Sequence, residues 1–168
     1  MHRWLLSFLM LMPVPAVADD LLIGLGYLNG LAGLNLEWAT EHNSFYAMPS
    51  VYLDSGGLDT DEPRWVAGWR HKMERGLMSE NGFYTGLMAG DLGGESHYER
   101  LGVGVELGHQ WVTPYSRWTV SAAVGAIEAL DCDEYEVAFR CDTEEERDNN
   151  DLDVEPVVVL GISFSLRR

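Results

Sequence analysis

Basic residues are scarce in this chain. Eleven Lys and Arg stand against 27 Asp and Glu, giving a formal net charge of −16 over 168 residues. That shortage argues against nucleic-acid binding, which depends on clustered cations. Long apolar runs are missing as well. Beyond residue 20 the longest is 21–28, counting its two Gly and its Tyr, whereas a membrane-spanning helix needs about 20 apolar residues. Phosphate cradles are absent too. Gly24-Leu25-Gly26 and Gly102-Val103-Gly104 lie inside alternating patterns, and no Lys-Ser/Thr or helix follows them. What remains open is a chain whose apolar residues alternate, because such a chain crosses a bilayer with strands and still has near-neutral hydropathy.

The first residues have a layout of their own. His2 and Arg3 precede an apolar run from Trp4 to Met12, then Pro13, Val14 and Pro15, then Ala16-Val17-Ala18 before Asp19. This is the arrangement of a secretory signal peptide with a small-residue cleavage site, so residues 1–18 are expected to be removed. Residues 19–168 then form one domain. Secretion favours oxidation, and Cys132 and Cys141 are expected to form a disulfide. The closed loop is small, so its entropic contribution is on the order of 2–3 kcal/mol.

Turn signals divide the mature chain into eight segments: 21–28, 31–40, 44–53, 63–71, 82–91, 98–112, 116–128 and 154–166. Asn29-Gly30, between the first two, is a strong hairpin signal. The sixth segment alternates most clearly. Leu101, Val103, Val105, Leu107, His109 and Trp111 share one face, and Arg100, Gly102, Gly104, Glu106, Gly108 and Gln110 share the other. The eighth repeats the pattern with Pro156, Val158, Leu160, Ile162, Phe164 and Leu166 against Glu155, Val157, Val159, Gly161, Ser163 and Ser165. Period two over so many segments predicts strands. A soluble barrel of the lipocalin kind alternates too, with its apolar face turned inward. Here the second face is built largely of Gly, Ala and Ser with a few charges. Such a face makes a poor water-facing surface and suits the narrow interior of eight strands. The expectation is an all-β, eight-stranded antiparallel up-and-down transmembrane barrel.

Seven aromatic residues support that choice. Trp38, Phe45, Trp69, Phe83, Trp111, Trp118 and Phe164 fall at one end of the alternating segments, all on the apolar face. Amphipathic rings gather this way at a lipid–water boundary. Outer-membrane barrels keep short periplasmic turns and longer outer loops. The even connections are mostly the shorter ones, so the seven-residue rim is expected on the periplasmic side. The stretches 54–62, 93–97 and 131–153 are expected as outer loops, and Tyr27, Trp65 and Tyr98 as a thinner outer rim.

With its leader, eight alternating segments and last strand carrying Phe164 near the C-terminus, the chain resembles the small outer-membrane β-barrel proteins of OmpA/OmpX-type architecture. The resemblance is architectural and covers the whole mature chain. It implies location in a bacterial outer membrane, insertion from the periplasm after leader cleavage, contact with outer-membrane lipid and lipopolysaccharide, and a monomeric state. It also implies a lumen plugged by polar and ionic side chains. Glu37, Arg70 and Glu106 have inward parity in the periplasmic half, with Arg100, Arg117 and Glu155 nearer the strand ends, and opposite charges buried there should pair.

Functional candidates are few. The stretch 131–153 holds eleven Asp or Glu and two Arg. It reads as a solvated, self-repelling loop, with a divalent cation or a protein partner as alternatives. Some small outer-membrane barrels are lipid A-modifying enzymes. The one local counterpart here is Glu95-Ser96-His97, and adjacent residues rarely form a nucleophile, base and orienting acid. His109 reads as an interfacial side chain. The expectation is a non-enzymatic protein with a structural or surface-interaction role and no cofactor. An enzyme acting on outer-leaflet lipid and a narrow channel are the alternatives.

Overall fold

The computed structural model describes residues 20–54, 57–73, 77–92, 100–128 and 154–167. They form eight strands: β1 (Asp20–Leu28), β2 (Leu31–Ala39), β3 (Asn43–Asp54), β4 (Gly57–Lys72), β5 (Gly82–Asp91), β6 (Leu101–Val112), β7 (Ser116–Glu128) and β8 (Val154–Arg167). Each pairs antiparallel with its chain neighbours, and β8 pairs back onto β1 to close a barrel. The leader, both cysteines, the acidic stretch 131–153, Tyr98 and Glu95-Ser96-His97 lie outside the described residues.

Local chemistry accounts for most boundaries. At the β1–β2 turn, Asn29 and Gly30 both have positive φ, 46° and 93°. A two-residue turn needs this backbone to match the strand twist. The clearest departure from the sequence reading is β4. Its first residues, expected within an outer loop, pair with β3 as far as Asp54↔Gly57. Polar composition concealed a strand there because pairing beyond the barrel wall requires no apolar face.

Following paired residues around the wall from Trp38 through Phe45, Trp69, Leu87, Val105, Val124 and Val158 returns to the β2 line ten residues above the start. Eight strands with that stagger tilt by about 40–45° and leave an interior that side chains can fill.

The faces are inverted relative to a water-soluble barrel. Among the described residues, exposed large apolar side chains number 26, against 14 buried apolar residues. Leu25, Val103, Val124 and Val158 are each more than 60% exposed. Glu37, Glu106 and Gln110, on the opposite parity, are fully buried. The interior has two zones. The larger group of charged and hydrogen-bonding side chains, around Arg70, occupies the half near the chain ends, the lower half. Leu28, Leu31, Met48, Val66, Met88, Leu92, Ala123, Ile127 and Val159 pack together in the upper half.

Candidate functional site: lumen charges and aromatic rim

The lower lumen is organised around Arg70 of β4. Its guanidinium forks onto Glu106 of β6, Nε donating to Oε2 at 3.1 Å and Nη2 to Oε1 at 2.9 Å. Its Nη1 lies 3.6 Å from Glu37 of β2. Glu37 also pairs with Arg117 of β7. The result is a chain of alternating sign, Arg117–Glu37–Arg70–Glu106, that crosses the lumen between four strands and sums to zero charge. All four residues are at most 5% exposed.

Aromatic rings hold the central cation. The guanidinium carbon of Arg70 stands 4.1 Å from the ring centre of Tyr46 and 4.9 Å from that of Tyr84. The Tyr84 hydroxyl donates to Glu106 Oε1 at 3.2 Å. Each tyrosine needs an empty place across the ladder. Tyr46 is paired with Gly68 and Tyr84 with Gly108, and a side chain at either glycine would collide with the ring. Each charge in the cluster thus has an oppositely charged neighbour.

The lower mouth is closed by the β4–β5 connection. Met78 is buried against Leu22 and Ala39. Gln110 Nε2 donates to the carbonyls of Met78 and Glu80 at 2.8 and 2.7 Å, and Lys72 Nζ donates to the Glu80 carbonyl at 2.7 Å. Above the charge cluster lies the apolar zone, and beside it a second ion pair, Arg64 with Asp91 at 2.7 Å. Arg100 meets Glu155 at 2.7 Å nearer the upper strand ends.

The three lumen residues singled out in the sequence, Glu37, Arg70 and Glu106, thus come together directly, and Arg117 joins them. Arg100 and Glu155 form a separate pair. The sequence reading missed Asp91. Simple alternation from Phe83 through Ala89 would turn it outward. Gly90, with φ of 136°, breaks the alternation and directs Asp91 inward onto Arg64. The signal was present as a glycine at a strand end, a place where such backbone is common. Tyr46, Tyr84 and Gln110 had readable inward parity, but parity alone does not reveal which groups converge.

On the outside, the seven aromatic residues form a cross-strand series. Trp38 pairs with Phe45, Phe45 with Trp69, Trp111 with Trp118, and Trp118 with Phe164. Once strand tilt is allowed for, all seven fall on one ring at the lower mouth. The Trp118 and Phe164 centroids are 4.6 Å apart. His109 fills the space between Phe83 and Trp111, 4.7 and 4.5 Å from their rings. Above this ring, in β1, β2 and β5 to β8, the first outward-facing Asp, Glu, Lys or Arg is Glu128 at the end of β7.

Among the described residues no group of three or more His, Cys, Asp or Glu is placed to hold a metal ion. Comparison with known proteins gives no match to any family model, curated protein or solved structure. The chain is, on its own geometry, a small closed eight-stranded antiparallel β-barrel with an apolar exterior and a filled, partly ionic interior.

Proposed function

We propose that this chain is a bacterial outer-membrane β-barrel protein of the OmpA/OmpX architectural type, with a structural or surface-interaction role and no enzymatic one. The observation that carries the reading is the outer belt. It rises on the order of 20–25 Å above the aromatic ring by strand rise and tilt, close to the apolar band of known membrane barrels. In water, a continuous apolar surface of that extent would drive association, since soluble monomers rarely expose more than a few hundred Å² in one patch. In lipid it is the solvated state. The filled lumen supports a plug over a pore, because both its apolar zone and its paired charges obstruct water.

Insertion is from the periplasm, and the aromatic ring with its short turns faces that side. Outer-leaflet lipopolysaccharide then surrounds the upper belt, where β7 ends at Glu128 and β8 begins at Val154. The test is refolding of the purified chain from urea into phosphatidylcholine vesicles. A lipid-dependent, heat-modifiable gel shift together with a membrane-protected core after protease is the expected result. A monomer that folds and stays dissolved without lipid or detergent would overturn the reading.

A further inference from the structure

The lower aromatic ring holds two histidines in unlike settings, His71 on β4 and His109 on β6. His71 stacks on Trp69, with ring centres 5.9 Å apart and planes 28° from parallel. Its Nδ1 lies 2.9 Å from Asn43 Oδ1, and the same oxygen accepts Trp69 Nε1–H at 3.1 Å. An indole N–H only donates, so the Asn43 atom that meets both rings is its oxygen, and His71 Nδ1 carries a hydrogen. Asn43 is itself held by the β2–β3 turn: Thr40 N and Thr40 Oγ1 donate to its carbonyl at 2.7 and 2.9 Å. The imidazole is thus fixed with one nitrogen paired. Its other nitrogen, Nε2, has no partner among the described residues, and the side chain is exposed. Protonation at Nε2 breaks no existing contact and creates a charged donor.

His109 is the opposite case. Phe83 and Trp111 enclose it, and its Nδ1 is buried with no hydrogen-bond partner. Charging that ring would place an N–H where nothing accepts it, which is costly. His109 therefore fills space, while His71 is set to carry charge.

The groups around His71 leave it as the cation of this face. Thr85 of β5 stands opposite it, with its hydroxyl given to the Glu106 carbonyl at 3.2 Å. From the β2–β3 turn come Glu41 and His42, 3.9 Å from each other, so the acid nearest the site has a histidine of its own. Next to His71 on its own strand, Lys72 is buried and donates to the Glu80 carbonyl. The other described Lys and Arg of the lower half are committed as well: Arg70 to Glu106, Arg117 to Glu37 and Arg167 to Asp20.

Resting on the membrane reading, we propose that His71, positioned by Asn43, binds the phosphate of a periplasmic-leaflet phospholipid through Nε2–H, and only as the imidazolium. The occupant is a phosphodiester because the ring stands at the level of the aromatic belt, where lipid headgroups meet the wall. A ligand that takes only the charged ring raises its apparent titration midpoint, since binding and protonation are linked. The lower rim then holds lipid more firmly as the periplasm acidifies.

The test uses the full mature chain with 15N-labelled histidine, titrated over about pH 5 to 8. One sample is in dimyristoylphosphatidylcholine nanodiscs and one in dodecyl maltoside micelles, which carry no phosphate. The His71 midpoint should lie about one pH unit higher in the nanodiscs, a tenfold preference of phosphate for the charged ring. Lipid 31P should dephase the His71 ring nitrogens at the acid end, and His109 should show neither effect. Equal His71 midpoints in the two media would overturn the site. Equal displacement of His71 and His109 would do so too, because it would report the bilayer as a whole. Inorganic phosphate added to the micelles and giving the full displacement would overturn the lipid as occupant. Asn43→Ala should abolish most of the displacement, and a full displacement in that variant would overturn the positioning role. If the variant does not fold, the tautomer decides: a neutral His71 without a hydrogen on Nδ1 would equally remove Asn43 from the site. Lipid-chain protons that make no contact with the outward Leu107 methyls would sink the membrane reading itself, which none of the other outcomes does.

Discussion

The barrel has two unlike walls. From β5 through β8 the ladders are unbroken: Gly82 to Asp91 against β6, Gly102 to Val112 against β7, and Ser116 to Glu128 against β8. From β2 through β4 they are interrupted at Pro49 and shifted between Ser50 and Tyr52. The same apolar alternation runs along both walls, so outward chemistry does not separate them. Backbone donors do. In hydrocarbon no water replaces a lost ladder bond, and a continuous ladder is the default solution. A wall that departs from it is held by fewer backbone bonds. The lumen follows the same division: Arg70, Glu37, Glu106 and Arg117 tie β2, β4, β6 and β7 together below the break. The ion cluster thus holds the interrupted wall to the continuous one.

The largest effect should come from making the continuous wall resemble the interrupted one. The register places Val124 opposite Val105, with its N–H directed at β6. Val124→Pro removes that donor and inserts a ring into a central strand, where proline is not tolerated. We expect a loss of more than about 3 kcal/mol, read as disappearance of the folded band after refolding into vesicles. A folded fraction equal to that of the unaltered chain would erase the distinction between the walls.

Next is the tie between them. Arg70→Ala leaves Glu37 with Arg117 alone and Glu106 with only the Tyr84 hydroxyl, both in a desolvated lumen. Removing one partner of a buried pair costs about 3–5 kcal/mol. Urea titration of the vesicle-inserted protein measures it. Replacing Arg70 by Met and Glu106 by Gln together should recover much of the loss, since the orphaned carboxylate is gone. A double variant as unstable as Arg70→Ala would mean that the cost lies in packing against Tyr46 and Tyr84 and not in charge.

Charge on the outer face is a smaller perturbation and bears on the reading of that face. Val105 sits near mid-height of β6 and is 54% exposed. Val105→Arg should cost about 2–4 kcal/mol of folding free energy in lipid, as expected for a cation near the bilayer midplane. The same substitution on a water-facing surface would be close to neutral, so a folded fraction unchanged in vesicles argues that this face does not meet hydrocarbon.

How much of this was legible beforehand follows from period two. Alternation in β6 and β8 assigned the faces, because a side chain's face depends only on its own position along the strand, and turn signals such as Asn29-Gly30 set the strand count. Glu37, Arg70 and Glu106 could be grouped by parity for the same reason. Asp91 could not, since Gly90 reverses its direction through backbone conformation that the neighbouring side chains do not encode. The early start of β4 was hidden by polar composition. The break at Pro49 was visible as an awkward proline, but its meaning depended on register. Which strand the missing N–H faced emerges only once the pairs are known.

The smallest expected effect tests the interruption from the stability side. Counting by twos from the bond between Leu53 N and the Gly30 carbonyl, Pro49 directs its nitrogen at Leu34. Pro49→Val supplies one hydrogen bond there, worth about 1 kcal/mol net. It also frees the unfolded chain, which works against the folded state by roughly 0.4–1 kcal/mol. The two nearly cancel, so the midpoint of urea unfolding should move little. Local opening should respond more than global stability, because the added bond ties β3 to β2 while the unfolded-chain term does not enter a native-state fluctuation. Amide exchange at Ala32 and Leu36 should therefore slow while that at Ala122, on the opposite wall, stays constant. Slowing of equal size at all three would show that exchange proceeds through whole-barrel unfolding, and the two walls would then be one cooperative unit.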